Sequence, residues 1–368
     1  MYGIDKFGQC RRYKMTMDEG TRREKNSTRE KAQQEETAIK KITIADVAEA
    51  LGVSKTTVSR VISGKGRIGS ETKKRVLRYI EEHDYKPNVI AKGLAQNKTF
   101  NIGLIMPGNH NFVDSSFFQK CMLGISEAAA AADYDMIVSM IRDDDLTQLE
   151  RLVQNHKVDG IILSRTLVED APAAYLKQHH VPFVVIGTTP SQDVIQIDHD
   201  HREACRELTS ILLLKGLRRV ALIGGSRGLV ITHTRLRGYL DALEAQGVPA
   251  DSSLISLDAD NEPMLERMVG EFVKKGAECI LCMDDSICSK VLKVLKKSRI
   301  SVPEDMRVAS FYNSPLLENN LPAVTSLHFD AAALGTVTCR TLLDLLDGRD
   351  VPGRTLLRYE VVLKESTK

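Results

Sequence analysis

Residues 42–64 read ITIADVAEALGVSKTTVSRVISG, two short amphipathic patterns on either side of a single glycine. Thr43 stands where a helix N-cap belongs, and Asp46, three residues on, can return a hydrogen bond to its backbone in a variant capping box. Ile44, Val47, Ala48 and Leu51 then recur at helical spacing as one apolar stripe. Gly52 supplies the turn. Ser54 caps a second helix, with Val53 and Val58 at the two positions of a hydrophobic staple and Val58, Val61 and Ile62 facing inward. Two such helices across a tight turn predict a helix-turn-helix.

The second helix turns Lys55, Thr56, Ser59 and Arg60 outward, small or basic side chains spaced to reach base edges together. The Arg60 guanidinium suits guanine, which offers two parallel acceptors. A solvated face of an ordinary helical hairpin would share this spacing, and the sequence that follows separates the two readings. A third helical pattern runs from about Ser70 to His83, with Val76, Leu77 and Ile80 as its apolar side, and Pro87 ends it within Tyr85-Lys86-Pro87-Asn88. Asn88 then caps VIAKGLAQN (89–97), too short to be helical alone in water and so in need of a partner surface.

The succession DVAEALGVSKTTVSRVISG, ETKKRVLRYIEE, YKPN and IAKGL resembles the LacI/GalR family of bacterial transcriptional regulators, and later motifs extend the resemblance over about residues 42–368. It implies that the short segment is a hinge helix that folds on operator DNA and inserts Leu94 into the minor groove, where an apolar wedge unstacks a base step. Gly93 lowers intrinsic helicity, which suits a segment ordered only on DNA. The same resemblance makes Lys92 and Lys98 phosphate contacts. DNA contacts are thus expected from Thr43, Ser54, Lys55, Thr56, Thr57, Ser59 and Arg60 in the first part, and from Asn88, Ala91, Lys92 and Leu94 in the hinge.

At 368 residues the chain is long for one domain and suits a small module followed by a two-lobed one. No run of about 18 apolar residues occurs, which excludes a membrane-spanning helix, and the charged N-terminus lacks the apolar stretch of a secretion signal. Seven scattered cysteines fit a reducing cytoplasm. The net charge of +2 hides an asymmetry: residues 42–98 hold 11 basic against 6 acidic side chains, residues 1–41 hold 11 against 7, and the remainder 29 against 36. Basic charge gathered where the helix-turn-helix lies is the footprint of phosphate binding.

The organisation expected is a disordered leader (1–41), a helix-turn-helix domain (42–86), a hinge helix and linker (87–99) and an effector-binding and dimerisation domain (100–368). The leader is polar and charge-mixed, with translation from Met15 or Met17 or a basic DNA-seeking arm as its two readings. The chain stops soon after YEVVLKEST, resembling the family's ending, with no leucine heptad after it, so the expected assembly is a homodimer.

From Asn101 onward, strand-length apolar runs alternate with helical patterns: IGLIM (102–106), MIVSMI (136–141), GIILS (160–164), PFVVIG (182–187), RVALIG (219–224), CILCM (279–283) and RVASFY (307–312). Uninterrupted apolar strands imply burial on both faces, and the alternation predicts an α/β domain of two doubly wound parallel subdomains with a crevice at the strand ends. The resemblance implies the same, a periplasmic-binding-protein-like clamp. Crossings are expected near Asp198, Leu327 and Gly348, giving an N-lobe of about 100–197 and 328–347 and a C-lobe of about 198–327 and 348–368.

The resemblance carries the effector contacts to Phe117 or Phe118 in SSFFQKCMLGI, Arg235 in THTRLRGYLDAL and Asp285 in MDDSIC, with Ser164, Asp200, Tyr312 and Asn313 completing the crevice. An arginine fork suits paired hydroxyls or a carboxylate, and Asp285 can accept from two adjacent hydroxyls of a sugar. The sequence departs from the family pattern at Tyr312, where an aspartate is common, and at Leu217 and Lys290.

Three other signals point elsewhere. Cys279 and Cys282, with Cys288, invite a metal, yet a spacing of three in a strand puts the first two on opposite faces, as buried small hydrophobes. His199-Asp200-His201 also invites a metal, but His201 falls where family members carry a polar crevice residue. The glycines of Gly224-Gly225-Ser226-Arg227-Gly228 match neither phosphate-loop pattern. No cofactor or metal is expected, and no catalytic constellation supports an enzyme. The reading is therefore a sequence-specific, effector-controlled DNA-binding regulator, most simply a repressor. It would bind a near-palindromic double-stranded operator as a cytoplasmic homodimer away from any membrane, with a carbohydrate-like small molecule as effector. The alternative is a soluble sugar-binding protein without specific DNA binding.

Overall fold

The computed structural model of the chain describes residues 42–63, 66–85, 93, 96–108, 115–142, 145–259 and 261–368. They form two compact units, one ending at Gln96 and one running from Asn97 to Lys368. The leader of residues 1–41 lies outside the described residues, as do Asn88, Ala91, Lys92 and Leu94 of the expected hinge helix.

The first unit holds α1 (Ile44–Leu51), α2 (Lys55–Ser63) and α3 (Ser70–Glu82). The Thr43 backbone N–H donates to Asp46 Oδ2 at 2.7 Å and the Asp46 N–H donates to Thr43 Oγ1 at 3.4 Å, closing the capping box. Gly52 ends α1 at φ 62°, a left-handed conformation that suits glycine, and Ser54 Oγ accepts from the Thr57 N–H at 3.0 Å to start α2. Val47, Ala48, Val58, Val61, Val76 and Tyr85 make the core. Arg75 on α3 donates to the Leu51 carbonyl at 2.9 Å, a cation at a helix C-terminus that ties α3 to α1. Leu77 departs from the expected inward stripe and is 45% exposed, because Thr72, Val76, Tyr79 and Ile80 hold the helical positions that face the core.

In the second unit the first lobe contains β1 (Asn101–Pro107), α4 (Ser116–Ala130), β2 (Asp135–Ile141), α5 (Thr147–Gln154), β3 (Gly160–Leu163), α6 (Ala171–Gln178), β4 (Phe183–Ile186) and β5 (Ile195–His199). The second contains α7 (His201–Leu214), β6 (Val220–Ile223), α8 (Val230–Ala245), β7 (Ile255–Ser256), α9 (Glu262–Lys274), β8 (Cys279–Cys282), α10 (Asp285–Lys297), β9 (Arg307–Ser310), α11 (Pro315–Glu318) and β10 (Thr325–Phe329). The chain returns as α12 (Ala331–Leu346) and β11 (Arg354–Leu357) to the first lobe and ends with β12 (Tyr359–Val362) in the second.

The two six-stranded sheets have the orders β11-β5-β4-β3-β1-β2 and β12-β10-β9-β8-β6-β7. All their pairings are parallel except β10 with β12. All seven apolar runs form strands, but MIVSMI is not buried on both faces: β2 is an edge strand whose Val138 and Met140 are 40% and 47% exposed. The crossings fall at Asp200, Asp330 and Arg358. The third is not near Gly348, because β11 pairs with β5, so residues 354–357 belong to the first lobe.

Each lobe packs a pair of helices through glycine. A Cβ at Gly124 of α4 would lie 2.1 Å from the Ala332 carbonyl oxygen, and one at Gly335 of α12 would lie 2.1 Å from that of Cys121. In the second lobe a Cβ at Gly238 of α8 would sit 2.2 Å from the Arg202 carbonyl oxygen of α7. Among the described residues no helix is long and apolar enough to cross a membrane.

Gly335→Ala is expected to force α4 and α12 apart and cost about 1–3 kcal/mol, lowering the thermal unfolding midpoint. Gly270→Ala on α9, where an added Cβ meets nothing within 4 Å, should instead stabilise by about 0.5–1 kcal/mol. Equal effects would remove the close-packing account. Thr43→Ala should cost the first unit about 1 kcal/mol, read as faster amide exchange in α1.

A candidate DNA-binding face and effector crevice

On the first unit Lys55, Thr56, Ser59 and Arg60 are exposed together on one side of α2, opposite buried Val58 and Val61. The stem of Arg60 lies over Gly66. The hydroxyls of Thr43, Ser54 and Thr57 are used in capping: Thr43 Oγ1 donates to Asp46 Oδ2 at 2.8 Å, and Ser54 Oγ lies 2.8 Å from Thr57 Oγ1. Lys98, expected as a phosphate contact, pairs with Asp347 Oδ1 at 3.0 Å and sits 6.0 Å from the Tyr134 ring centroid.

Between the lobes an aromatic wall forms where the strand ends meet. Phe117 packs against the cores of both lobes, and its ring meets Tyr312 edge-on at 5.9 Å. Tyr312 stacks on Phe329 at 6.4 Å, and Phe329 in turn lies 4.9 Å from His199 and 4.4 Å from His201. Phe118 is not a crevice residue; one position along α4 from Phe117, it turns into the first lobe's core.

Arg235 projects from α8, donates to the Met283 carbonyl at the end of β8, and keeps its Nε buried without a partner. Asp284 caps α10 by accepting from the Ile287 N–H at 2.8 Å, which leaves Asp285 at the first helical position and clear of capping duty. Burial pushes the Asp284 carboxyl above its ordinary range, with Asp285 adding to the effect and Arg235 opposing it. Burial also pushes the Tyr312 phenol up to about 12, and the charges of Asp285 and Arg235 reach it as well. Phe117 thus touches Tyr312 across the lobes, and the charges of Arg235 and Asp285 act on the same phenol.

The remaining expected residues are spread around it. Ser164 lines a narrow recess with Met106, Arg165 and Asp170, its hydroxyl buried without a partner. Asn313 donates to Glu318 at 2.8 Å, leaving its Oδ1 unpartnered. Asp200 caps α7 by accepting from the Glu203 N–H at 3.1 Å and lines a cavity of about 350 Å³ with Thr188, His199, His201, Arg237 and Arg354.

Sequence reasoning missed Asp198 and rejected its histidine neighbours. Asp198, His199 and His201 are 3%, 1% and 6% exposed, and His201 Nε2 lies 3.2 Å from Asp198 Oδ1. Burial pushes both imidazoles below their ordinary range, His199 to about 4. Four ionisable side chains in four consecutive positions, Asp198 to His201, at a strand end were the available signal. The backbone also joins the lobes on another side, where Val168 N–H donates to the Gly228 carbonyl at 3.0 Å and Val230 N–H to that of Thr166 at 3.3 Å.

Comparison with known proteins agrees with both halves. Residues 43–88 match the profile of bacterial regulatory proteins of the lacI family, and residues 209–367 that of a periplasmic binding protein-like domain. The HTH-type transcriptional regulator MalR of Streptococcus pneumoniae is 31% identical over 337 residues, covering 88% of this chain and 99% of that protein. Among solved structures, the transcriptional regulator CelR in complex with cellobiose superposes with a TM-score of 0.67 at 27% identity, over 88% of this chain and 99% of CelR. The lac repressor dimer bound to operator and an anti-inducer shares the fold with a TM-score of 0.73 at 22% identity, over 89% of this chain and 99% of that one. A helix-turn-helix with a basic outward face, followed by a two-lobed clamp and matched along nearly its whole length by such regulators, places the chain in the lacI family of bacterial regulatory proteins, as a DNA-binding transcriptional regulator.

Proposed function

We propose that the chain is a cytoplasmic repressor that binds a near-palindromic operator as a homodimer and answers to a sugar or sugar derivative in the inter-lobe crevice, with no catalytic activity of its own. What supports the proposal is the pairing, on one chain, of the exposed Lys55-Thr56-Ser59-Arg60 face with a meeting of the lobes where Phe117 touches Tyr312 and the charges of Arg235 and Asp285 act on that phenol. Arg60 reads a guanine edge, while Lys55, Thr56 and Ser59 fix register against neighbouring bases and phosphates. In the crevice an aromatic ring offers a face for a sugar ring, and a carboxylate and a guanidinium with spare hydrogen-bonding capacity offer partners for adjacent hydroxyls. The cellobiose complex of CelR supports a carbohydrate as the ligand class.

A second copy covers the edge of β2, where Val138 and Met140 stand exposed on the same face of an all-parallel sheet. Ligand in the crevice changes the angle between lobes joined at Asp200, Asp330 and Arg358, and so the separation of the two segments 87–99. Asn88, Ala91, Lys92 and Leu94 contact the operator when that segment folds on DNA. Since the coupling is reciprocal, operator changes effector affinity by the factor by which effector changes operator affinity.

Selection of DNA from a random pool by the full chain, with and without a panel of sugars and phosphosugars, tests the whole reading. The expected result is a near-palindrome whose enrichment one compound alters; ligand binding with no enriched motif would leave a sugar-binding protein instead. Arg60→Ala should relax preference at one base pair per half-site and cost about 1–3 kcal/mol, whereas a uniform loss over all sequences would remove Arg60 from base reading. Asp285→Asn should weaken the selected compound by about 1.5–3 kcal/mol in calorimetry and leave operator affinity without ligand unchanged. Sedimentation at micromolar concentration should give a dimer, and a stable monomer would count against the mechanism.

A further inference from the structure

At the first crossing β5 ends at His199, Asp200 bridges, and α7 begins at His201. The change from strand to helix breaks the alternation of side chains, so Asp198 and His201 meet although they are three residues apart. The donor atoms of Asp198, His199 and His201 all lie within 4.8 Å of one another, the one grouping of this kind among the described residues. Asp198 Oδ1 is held by the His199 backbone N–H at 2.8 Å. Its Oδ2 has no partner, nor has either ring nitrogen of His199, nor Nδ1 of His201.

Four unpartnered polar atoms on three buried side chains are costly unless something satisfies them. What they jointly offer is a carboxylate oxygen and one lone-pair nitrogen from each neutral imidazole. We infer that Asp198, His199 and His201 form a binding site for one divalent transition-metal ion of the zinc or nickel type. Two imidazoles with one carboxylate favour such an ion over magnesium or calcium, which take oxygen ligands.

Bonds of about 2.1 Å in a tetrahedral site set donor atoms about 3.4 Å apart, so separations of up to 4.8 Å shrink by at most about 1.4 Å on binding. The imidazoles stand 6.0 Å apart between centroids and 69° from coplanar, edge to face rather than stacked. Asp198 is oriented by the hydrogen bond to its other oxygen, as a metal-ligating carboxylate commonly is. His199 and His201 also face the cavity of about 350 Å³, which leaves space for water or a ligand anion at the remaining coordination position. The third group is Asp198 and not Asp200, whose carboxylate is committed to capping α7. Because His199 ends a strand of the first lobe and His201 starts a helix of the second, a bound ion fixes the geometry of this crossing.

The test is calorimetric titration of the metal-stripped full chain with zinc chloride and with nickel chloride near neutral pH. One ion per chain is expected, with affinity lowered at least tenfold in His199→Gln and in Asp198→Asn and unchanged in His233→Gln on the cavity rim. Absence of binding, or binding that survives intact in His199→Gln, overturns the assignment. X-ray absorption on the nickel-loaded wild-type chain decides independently of whether the variants fold: two imidazoles with oxygen ligands support the site, and sulfur ligation or a single imidazole overturns it.

Discussion

Two aspartates make the second unit a clamp. Asp200 and Asp330 each follow the last residue of a strand in one lobe and cap the first turn of a helix in the other, accepting from Glu203 N–H at 3.1 Å and Ala333 N–H at 2.9 Å. A capped helix starts at a defined residue and in a defined direction. The helices begun this way, α7 and α12, then lock onto α8 and α4 through backbone contacts that only glycine allows at Gly238, Gly124 and Gly335. Each lobe is therefore finished by a segment that arrives from the other, and neither is a continuous stretch of chain. A change in lobe angle has to be absorbed at these few residues, between rigid elements on both sides.

The crevice inherits its chemistry from that arrangement. Strand ends of both sheets meet along Phe117, Tyr312 and Phe329, whose rings are in edge and stacking contact. The charged groups belong to the second lobe, where Asp284 is consumed as a cap and Asp285, one residue on, stays available. Adjacent identical side chains thus have different roles, set by whether each precedes or begins the helix. Arg235 is likewise half committed, one nitrogen held by a strand-end carbonyl and another left without a partner.

Charge divides the two units. The helix-turn-helix region and its linker carry an excess of basic residues and the body an excess of acidic ones, so attraction to phosphate is concentrated where bases are read, and non-specific adhesion of the body to DNA is opposed.

Much of this was legible in the chain. The capping box of Thr43 and Asp46, the turn at Gly52, the cap at Ser54 and the seven apolar strands follow from local rules, since each depends on residues within one turn or one strand. The strands left unread, such as Ile195–His199 and Arg354–Leu357, carry polar residues because they lie at or near a sheet edge or end at the crossing. Position in the sheet also exposes one side of Met136–Ile141, which composition alone makes indistinguishable from a central strand. By itself the sequence determined the DNA-reading module, the α/β class and the two-lobed plan, all written in periodicity and capping over short distances. Only the tertiary structure decided that Phe117 and not Phe118 spans the lobes, that β11 returns to the first sheet, and that Asp198 joins His199 and His201. The first two outcomes depend on which distant elements pack together, and the third on the strand-to-helix bend at Asp200, which turns side chains three residues apart toward each other.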